Sequence, residues 1–401
     1  MNICMVVWKF YPCPEGGAER QCRRLAVELT RQGHCCEVLT SRLRPELLPT
    51  EEMPEGYQVR RLGRLAWLDE SCKKRLSILR NRLPEQLADI AAFWLPLPFV
   101  RLSRFSFMLA LRRFFKEHSQ QIDVIHVHEA HWIAGAAGWA CQGLGLPVVC
   151  KEADCPAAAR LSYDAPLRHL LHRCRQQADF IAMTDAIAES LRENGIPADR
   201  IARIPNGVEL PKITSPVAGS HDIVYVGNFL QGMRRKAFDI LFAAWAKLQQ
   251  QDQGRTRLVV LGAGDAAPWQ QYLQEQGCRS SVHFAGPVQN VSEYLRQARL
   301  FVLPSRVEGL SNALLEAMSW GLPVLVSDIP ANLSVVRHQE NGWVVPVNDS
   351  QALAAAMLQL LADEPLSLQL GRAARQTIED KYTIQQVAGQ LAALYRRLTV
   401  N

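Results

Sequence analysis

Glu308 and Glu316 stand with seven residues between them in the run EGLSNALLEAMSWGLPVLVSD. Glu308 heads a turn of mostly small and polar residues, Gly309, Leu310, Ser311 and Asn312, and Glu316 lies inside the amphipathic stretch that follows. A helix that starts from such a turn leaves backbone N–H groups unpaired at the positive end of its dipole, which suits an anion. With Ser311 as the N-cap, Glu316 falls about one and a half turns in, roughly 7 Å along the axis. Its side chain leans back toward the N-terminus. A diphosphate on the turn would then bring an attached ribose near a carboxylate able to accept both hydroxyl protons. The same spacing also suits an ordinary capped helix whose acids favour the dipole.

Other residues have the type and place for related chemistry. Lys236 follows the strand-like DIVYVGN and opens the helix-like run after it, with Arg234 and Arg235 beside it. A cation there can stabilise negative charge on a leaving phosphate, although an RRK run also reads as solvated surface. Gly16 and Gly17 sit between the first strand and the first helix, where paired glycines allow close backbone approach and positive φ. A plain tight turn is the other reading, and the pattern is not GxGxxG. His126 and His128 end the strand-like DVIHVH; alternation points both to one side, with His128 nearer the carboxyl end. Glu152 and Asp154 end LPVVCKEAD on the corresponding side and are candidates for orienting an acceptor. Gly262 and Gly264 form a strand-to-helix turn. Neither an Asp-x-Asp motif nor a Cys/His ligand spacing is legible, so no metal is expected.

Two series of alternating strands and helices must position these residues. The first runs from NICMVVW through AERQCRRLAVELTRQG, CCEVLTS, DVIHVH and LPVVCKE to DFIAMT. The second begins near His221 and runs through DIVYVGN, RLVVLGAG, VHFAG, LFVLPS, the Glu316 helix, LPVLVSD and WVVPV. Each is the pattern of a doubly wound parallel sheet, and LPKITSPVAGS between them has linker composition. Ligands of such sheets bind at the carboxyl ends of the strands. The expected domains are 1–210 and 211–380, with an amphipathic terminal helix over 381–401. A basic, aromatic, partly helical insertion over about 42–118 interrupts the first series.

At 401 residues, with 48% hydrophobic and 21% charged residues, the chain suits two globular domains. Eleven cysteines, several among apolar residues, read as free thiols in a reducing cytoplasm. The start MNICMVVWKF lacks the features of a signal peptide. The net charge is +6; between Arg60 and Lys116 there are 13 Lys/Arg against 4 Asp/Glu, a local +9, so the rest carries −3. The longest uncharged run of that stretch, Ile90 to Val100, has 11 residues and two prolines, too few to span a bilayer. On a helical wheel Arg101, Arg104, Arg112 and Lys116 gather on one side, with Leu102, Phe105 and Leu109 elsewhere. That suits contact with an anionic membrane surface, or a core helix with a solvated basic face. No nucleic-acid module is legible.

Taken in chain order, these features resemble glycosyltransferase family 4, the retaining nucleotide-sugar transferases of the GT-B fold. The resemblance rests on the Glu308/Glu316 pair, the AMSWGLPVLVSD around and after it, and Asn341-Gly342 before WVVPV. It extends to Asn206-Gly207-Val208 after IARIP, to Val226-Gly227 with Lys236 and Asp239, and to Gly16-Gly17-Ala18-Glu19. It implies two Rossmann-like domains facing across a cleft, with the terminal helix crossing back to the first. In the family a histidine at the place of His128 faces the sugar and phosphate, Glu308 faces the donor sugar, and backbone at Val288 meets the base. The family carries Gly-Arg and then Lys-Gly where this chain has Gly227-Asn228 and Ala237 after Lys236. Asn228 cannot supply that arginine's charge, so Arg235, ahead of Arg234, is expected to replace it.

The expected catalytic residues are therefore His128, Lys236 and Glu308. The expected donor site comprises Gly16, Gly17, Gly227, Arg235, Lys236, Gly264, Val288, Glu308, Gly309, Leu310, Ser311, Asn312 and Glu316. The resemblance implies a retaining, metal-independent transfer of a hexose-type sugar from a nucleotide-diphosphate sugar, without cofactor, to a lipid-linked or surface-polysaccharide glycan. Cytoplasmic location, with contact at the inner membrane face and no nucleic-acid partner, completes the expectation. The rival readings are a transferase with a soluble acceptor of the sucrose or trehalose type, a nucleotide-sugar epimerase on the same fold, and a non-enzymatic binding module.

Overall fold

The computed structural model describes residues 1–13, 16–68, 97–153, 174, 176–212, 221–229, 234–252 and 255–399. The chain separates into two compact units. Met1–Met183, Ile187–Ile204 and Ala388–Asn401 form the first; Thr184–Ala186 and Pro205–Val387 form the second. The divisions at 204/205 and 387/388 compare with 210/211 and 380/381 in the sequence reading.

The first unit is built on an eight-stranded sheet of order β3-β4-β2-β1-β5-β6-β7-β8. Its strands are β1 (Asn2–Val6), β2 (Cys35–Ser41), β3 (Thr50–Glu52), β4 (Gln58–Leu62), β5 (Val124–Val127), β6 (Val148–Glu152), β7 (Asp179–Ala182) and β8 (Ile201–Arg203). All neighbours pair in parallel except β3 and β4. The register aligns Met5 with His126 and His126 with Val149, so β5 lies at the centre between β1 and β6. All four residues of β5 are buried, as expected for a strand covered on both faces. Helix α1 (Gly17–Arg31) follows β1 and closes through Gly33, whose φ of +85° is open to glycine at little cost.

The insertion differs from its sequence reading. Residues 50–62 are not an excursion from the α/β series but its edge, with β4 pairing in parallel against β2. The Gln58–Leu62 strand was disguised by Arg61, which points inward. Its guanidinium donates to Glu51 at 2.7 Å and to the carbonyls of Leu48 and Tyr11 at 2.9 and 3.1 Å. A buried charge satisfied in this way reads in sequence as a solvated one. Helix α2 (Leu97–His118) also turns its basic stripe differently from the wheel. Arg104 and Arg112 lie over the rings of Trp132 and Trp139, at 4.7 and 4.8 Å from the ring centres. Both tryptophans belong to α3 (Trp132–Ala140), and α4 (Asp185–Glu193) follows β7. α2 exposes Phe99, Leu102, Phe105 and Leu109, together with Arg101, Arg113, Lys116 and Glu117. The remainder of the insertion, 69–96, lies outside the described residues.

The second unit carries a fully parallel six-stranded sheet of order β11-β10-β9-β12-β13-β14. These strands are β9 (Asp222–Val226), β10 (Arg257–Leu261), β11 (Val282–Gly286), β12 (Leu300–Leu303), β13 (Val324–Ser327) and β14 (Trp343–Val345). β12, with Phe301, and β13 are buried throughout, and Tyr225, Phe242 and Trp245 fill the core beside them. Fully burying an aliphatic or aromatic side chain of this kind contributes about 1.5–3 kcal/mol each. Among the described residues no helix is long and apolar enough to cross a membrane.

Candidate active site

In the second unit the expected residues occupy the loops after β9, β10 and β12. Glu308 is the focus of the last of these. Its Oε1 lies 2.6 Å from the Lys236 Nζ and accepts the Ser305 hydroxyl at 2.7 Å. The Lys236 side chain is 26% exposed and that of Glu308 10%, so the charges are held together while the ammonium still faces solvent. The ammonium has three donors and the ion pair engages one. Lys236 does not open a helix, as its sequence position suggested. It ends a 3-10 turn, Arg234–Lys236, ahead of α5 (Phe238–Asp252). Between the two stands Ala237, buried and at φ +51°. A left-handed backbone costs an L-residue about 1–2 kcal/mol. The family's glycine at this place is explained by that conformation, which Ala237 adopts under strain.

A clamp fixes the turn against the loop. The Arg306 and Val307 amides donate to the Arg235 carbonyl at 2.7 and 3.4 Å. The Arg306 guanidinium grips both oxygens of Asp239 at 2.8 and 2.6 Å, and its Nε reaches Asn348 at 2.5 Å. The Arg306 hydrogen bonds hold the Asp239 carboxyl below the usual carboxylate range. Fork-to-fork geometry is directional, so this pair orients Lys236 and Glu308 more than it stabilises the fold. Arg306 stands 67 residues from Asp239, so the sequence gives no local sign of the contact. Arg235 itself is half-buried, and the Arg234 side chain lies outside the described residues.

The glycines are explained by crowding. A Cβ on Gly227 would lie 2.6 Å from the Tyr225 hydroxyl, one on Gly262 would lie 2.0 Å from the Gly227 carbonyl oxygen, and one on Gly264 would lie 2.2 Å from the Phe229 carbonyl oxygen. Gly264 also has φ +115°. Here Asn228, standing in place of the family's arginine, accepts the Ala263 amide at 2.8 Å. It ties the two turns together instead of supplying charge. Val288 is half-buried beyond β11.

Ser311 is the N-cap of α8 (Asn312–Ser319), accepting the Leu314 amide at 3.4 Å as its type and place predicted. The order of helices between α5 and α8 is α6 (Ala267–Glu275) and α7 (Val291–Gln297). Gly309 and Leu310 are buried, and Asn312 and Glu316 are half-buried. Asn206 donates to the Leu310 carbonyl at 3.2 Å and to Asn312 Oδ1 at 2.9 Å. Asn206 therefore holds the elbow in shape, while the Val208 amide donates to the Tyr382 carbonyl at 2.9 Å; sequence reasoning missed the first role because the partners are 104 and 106 residues away.

In the first unit Gly16 caps α1, and its amide donates to the Glu19 carboxylate at 2.9 Å. Gly16 has φ −88°, and neither it nor Gly17 has positive φ, so the pair is not kept for a left-handed turn. At Gly16 an added Cβ would lie 2.8 Å from the Glu19 Oε2, the movable end of a side chain that could shift aside. Burial, then repulsion from Glu129, raises the Glu19 carboxyl. Glu152 is buried at the end of β6; Asp154 lies outside the described residues. Among the described residues no group of three His, Cys, Asp or Glu side chains gathers to hold a metal ion.

His126 and His128 do lie on one side, as alternation predicted, with rings stacked 4.2 Å apart at 21°. Both are buried. Burial, helped by the Lys151 charge, lowers His126 to about 3. Burial, then His126 and Lys151, pushes His128 well below its usual range. Burial also draws the neighbouring Lys151 down to about 8. Unfolding frees both imidazoles to bind protons near pH 6.5, so the unfolded state binds more protons below that pH and stability must fall with acidity. Denaturant titrations between pH 7 and 5 should show this loss, up to about 1.4 kcal/mol per pH unit for each histidine. A His126→Asn/His128→Asn variant should lose less stability over the same range; an unchanged slope would contradict the account.

Comparisons with known proteins agree with this geometry. Residues 15–212 match the family described as Glycosyltransferase Family 4, and residues 220–363 match Glycosyl transferases group 1. The amylovoran biosynthesis glycosyltransferase AmsK of Erwinia amylovora is 29% identical over 51% of this chain, which spans about half (52%) of that relative. The putative colanic acid biosynthesis glycosyltransferase WcaL of Salmonella typhimurium is 27% identical over 83% of this chain and 86% of its own. Among solved structures, the sucrose-phosphate synthase of Thermosynechococcus elongatus superposes with a TM-score of 0.79 at 21% identity, covering 100% of this chain and 99% of that one. The Anabaena protein HepE, solved with UDP-glucose, gives 0.72 at 16% identity over 99% and 100%. The chain belongs to glycosyltransferase family 4, the group 1 glycosyl transferases, and has the GT-B fold.

Proposed function

We propose that this glycosyltransferase moves a sugar, with retention and without a metal, from a nucleotide-diphosphate sugar to a lipid-linked or surface-polysaccharide glycan. The observation that carries the reading is the Lys236–Glu308–Ser305 group, set at the head of an elbow whose Ser311-capped helix bears Glu316. The diphosphate sits on the amides of the Gly309–Asn312 elbow, Glu316 takes the ribose hydroxyls, and Lys236, with Arg235 beside it, meets the charge that grows on the leaving phosphate. Glu308 hydrogen-bonds the sugar and His128, neutral, donates to or accepts from a sugar hydroxyl. The leaving phosphate itself takes the acceptor's proton as the hydroxyl attacks from the same face.

UDP and UDP-glucose in the HepE structures support a nucleotide-sugar donor, and the names of AmsK and WcaL support a polysaccharide acceptor. The sucrose-phosphate synthase likeness favours the second reading, a soluble acceptor. Contact with an anionic membrane at the inner face would use Phe99, Leu102, Phe105 and Leu109 of α2 with Arg101. Cosedimentation with anionic vesicles tests it, and protein left in the supernatant would count against it.

The deciding experiment incubates UDP-, GDP- and ADP-sugars labelled in the sugar with the protein and a bacterial lipid extract, in the presence of chelator. Label moving to the organic phase supports the proposal. Label appearing only on added soluble sugars supports the second reading, and a new nucleotide-sugar without acceptor would mean an epimerase.

A further inference from the structure

The first unit contains a buried polar group that the proposed chemistry does not use in full. Two side chains adjoin His128: His126 on β5, whose ring stacks on it, and, through His126, Tyr395 on the last helix, α12 (Ile384–Thr399); the charge of Lys151 on β6 acts on both histidines. The helices between α8 and this one are α9 (Pro330–Leu333), α10 (Ser350–Ala362) and α11 (Glu364–Lys381). His126 and Tyr395 are completely buried and His128 is 1% exposed. The Tyr395 hydroxyl lies 2.6 Å from His126 Nδ1. The His126 ring stacks on that of His128, while both His128 ring nitrogens lack a hydrogen-bond partner among the described residues. Unpaired polar atoms this deep cost free energy unless something else meets them.

We propose that Tyr395 is a positioning residue for sugar transfer, acting through His126 to fix the ring of His128. The inference rests on the reading above that His128 addresses the donor sugar. The direction of the first hydrogen bond follows from counting donors. If the tyrosine O–H donates to Nδ1, only the His126 Nε2–H is left without a partner. If Nδ1–H donates instead, the O–H and the Nε2 lone pair are both left over. The first arrangement leaves fewer unsatisfied groups, so His126 is the Nε2–H tautomer. A ring locked in this way presents a fixed flat face, and His128, packed against it, keeps one orientation with its nitrogens free. Burial keeps both rings neutral, with the Lys151 charge adding to the effect. A neutral His128 can then donate from one nitrogen and accept at the other. Groups that directly orient metal-ligating histidines matter about 10- to 100-fold, and an effect at the low end of that range is expected for one relayed through a stacked ring.

The test is Tyr395→Phe, which keeps the buried ring and removes one oxygen. The expected result is a kcat about tenfold lower, with the donor KM within about twofold of the parent. Combined with His128→Asn, the tyrosine change should cost nothing further, because its effect passes through a ring that is gone. Nitrogen-15 spectra of the histidine rings supply a readout independent of activity. They should show His126 as the Nε2–H tautomer in the parent and a changed tautomer balance in Tyr395→Phe. Two multiplicative losses, unchanged turnover in Tyr395→Phe, or an Nδ1–H tautomer in the parent would each overturn the proposal. If His128→Asn alone leaves turnover intact, the functional reading of His128 fails first, and that outcome is distinct from the others.

Discussion

Replacing Lys236 with alanine should lower kcat by about 10²-fold or more, the usual cost of removing one preorganised charge from a developing anion. The size follows from the way the charge is held. The ammonium is fixed by Glu308 at 2.6 Å, on a turn strapped to the Glu308 loop through the Arg235 carbonyl. It therefore does not need to be reoriented as the phosphate leaves. Glu308 keeps its Ser305 hydrogen bond in the variant, so the loop should persist and the melting temperature should move little. Initial rates at saturating donor check the prediction. Normal turnover in a folded Lys236→Ala protein would remove this residue from the chemistry.

The second large effect is expected on binding. Glu316→Gln should raise the donor KM by about 10- to 100-fold, the value of hydrogen bonds to a charged acceptor, with kcat within a few-fold of the parent. The ribose is remote from the bond that breaks, so its contacts count equally in the ground and transition states. A sharper check uses the free nucleotides. The parent should bind the ribonucleoside diphosphate more tightly than its 2′-deoxy counterpart, and Glu316→Gln should lose most of that preference. Equal discrimination in both proteins would place the ribose elsewhere.

Much of this was legible before any coordinates. Strands such as β12 and β13 are continuous apolar runs bounded by turn residues, and Ser311 has the type and place of an N-cap. Those signals are local, so a sequence carries them. What escaped depends on partners far along the chain. Arg61 looked like surface because its acceptors, Glu51 and the Leu48 and Tyr11 carbonyls, are assembled only by the fold. The same is true of Arg104 and Arg112, whose charges lie over tryptophans of α3. Tyr395 lies in the amphipathic terminal helix, 269 residues from the histidine that it touches. Of the two uses read for Gly16 and Gly17, positive φ is not taken up, and the close backbone approach remains part of the proposed donor site. Departures from the family pattern were visible, but their consequences were not. Asn228 turned out to bridge two loops, and Ala237 to bear a backbone that glycine would adopt freely.

The most direct test is a crystal structure of the protein with whichever nucleoside diphosphate binds best in calorimetry. Phosphate oxygens should lie within hydrogen-bond distance of the amides between Gly309 and Asn312, with both ribose hydroxyls on the Glu316 carboxylate. A nucleotide bound away from this elbow, or a Glu316 carboxylate turned from the ribose, would contradict the account.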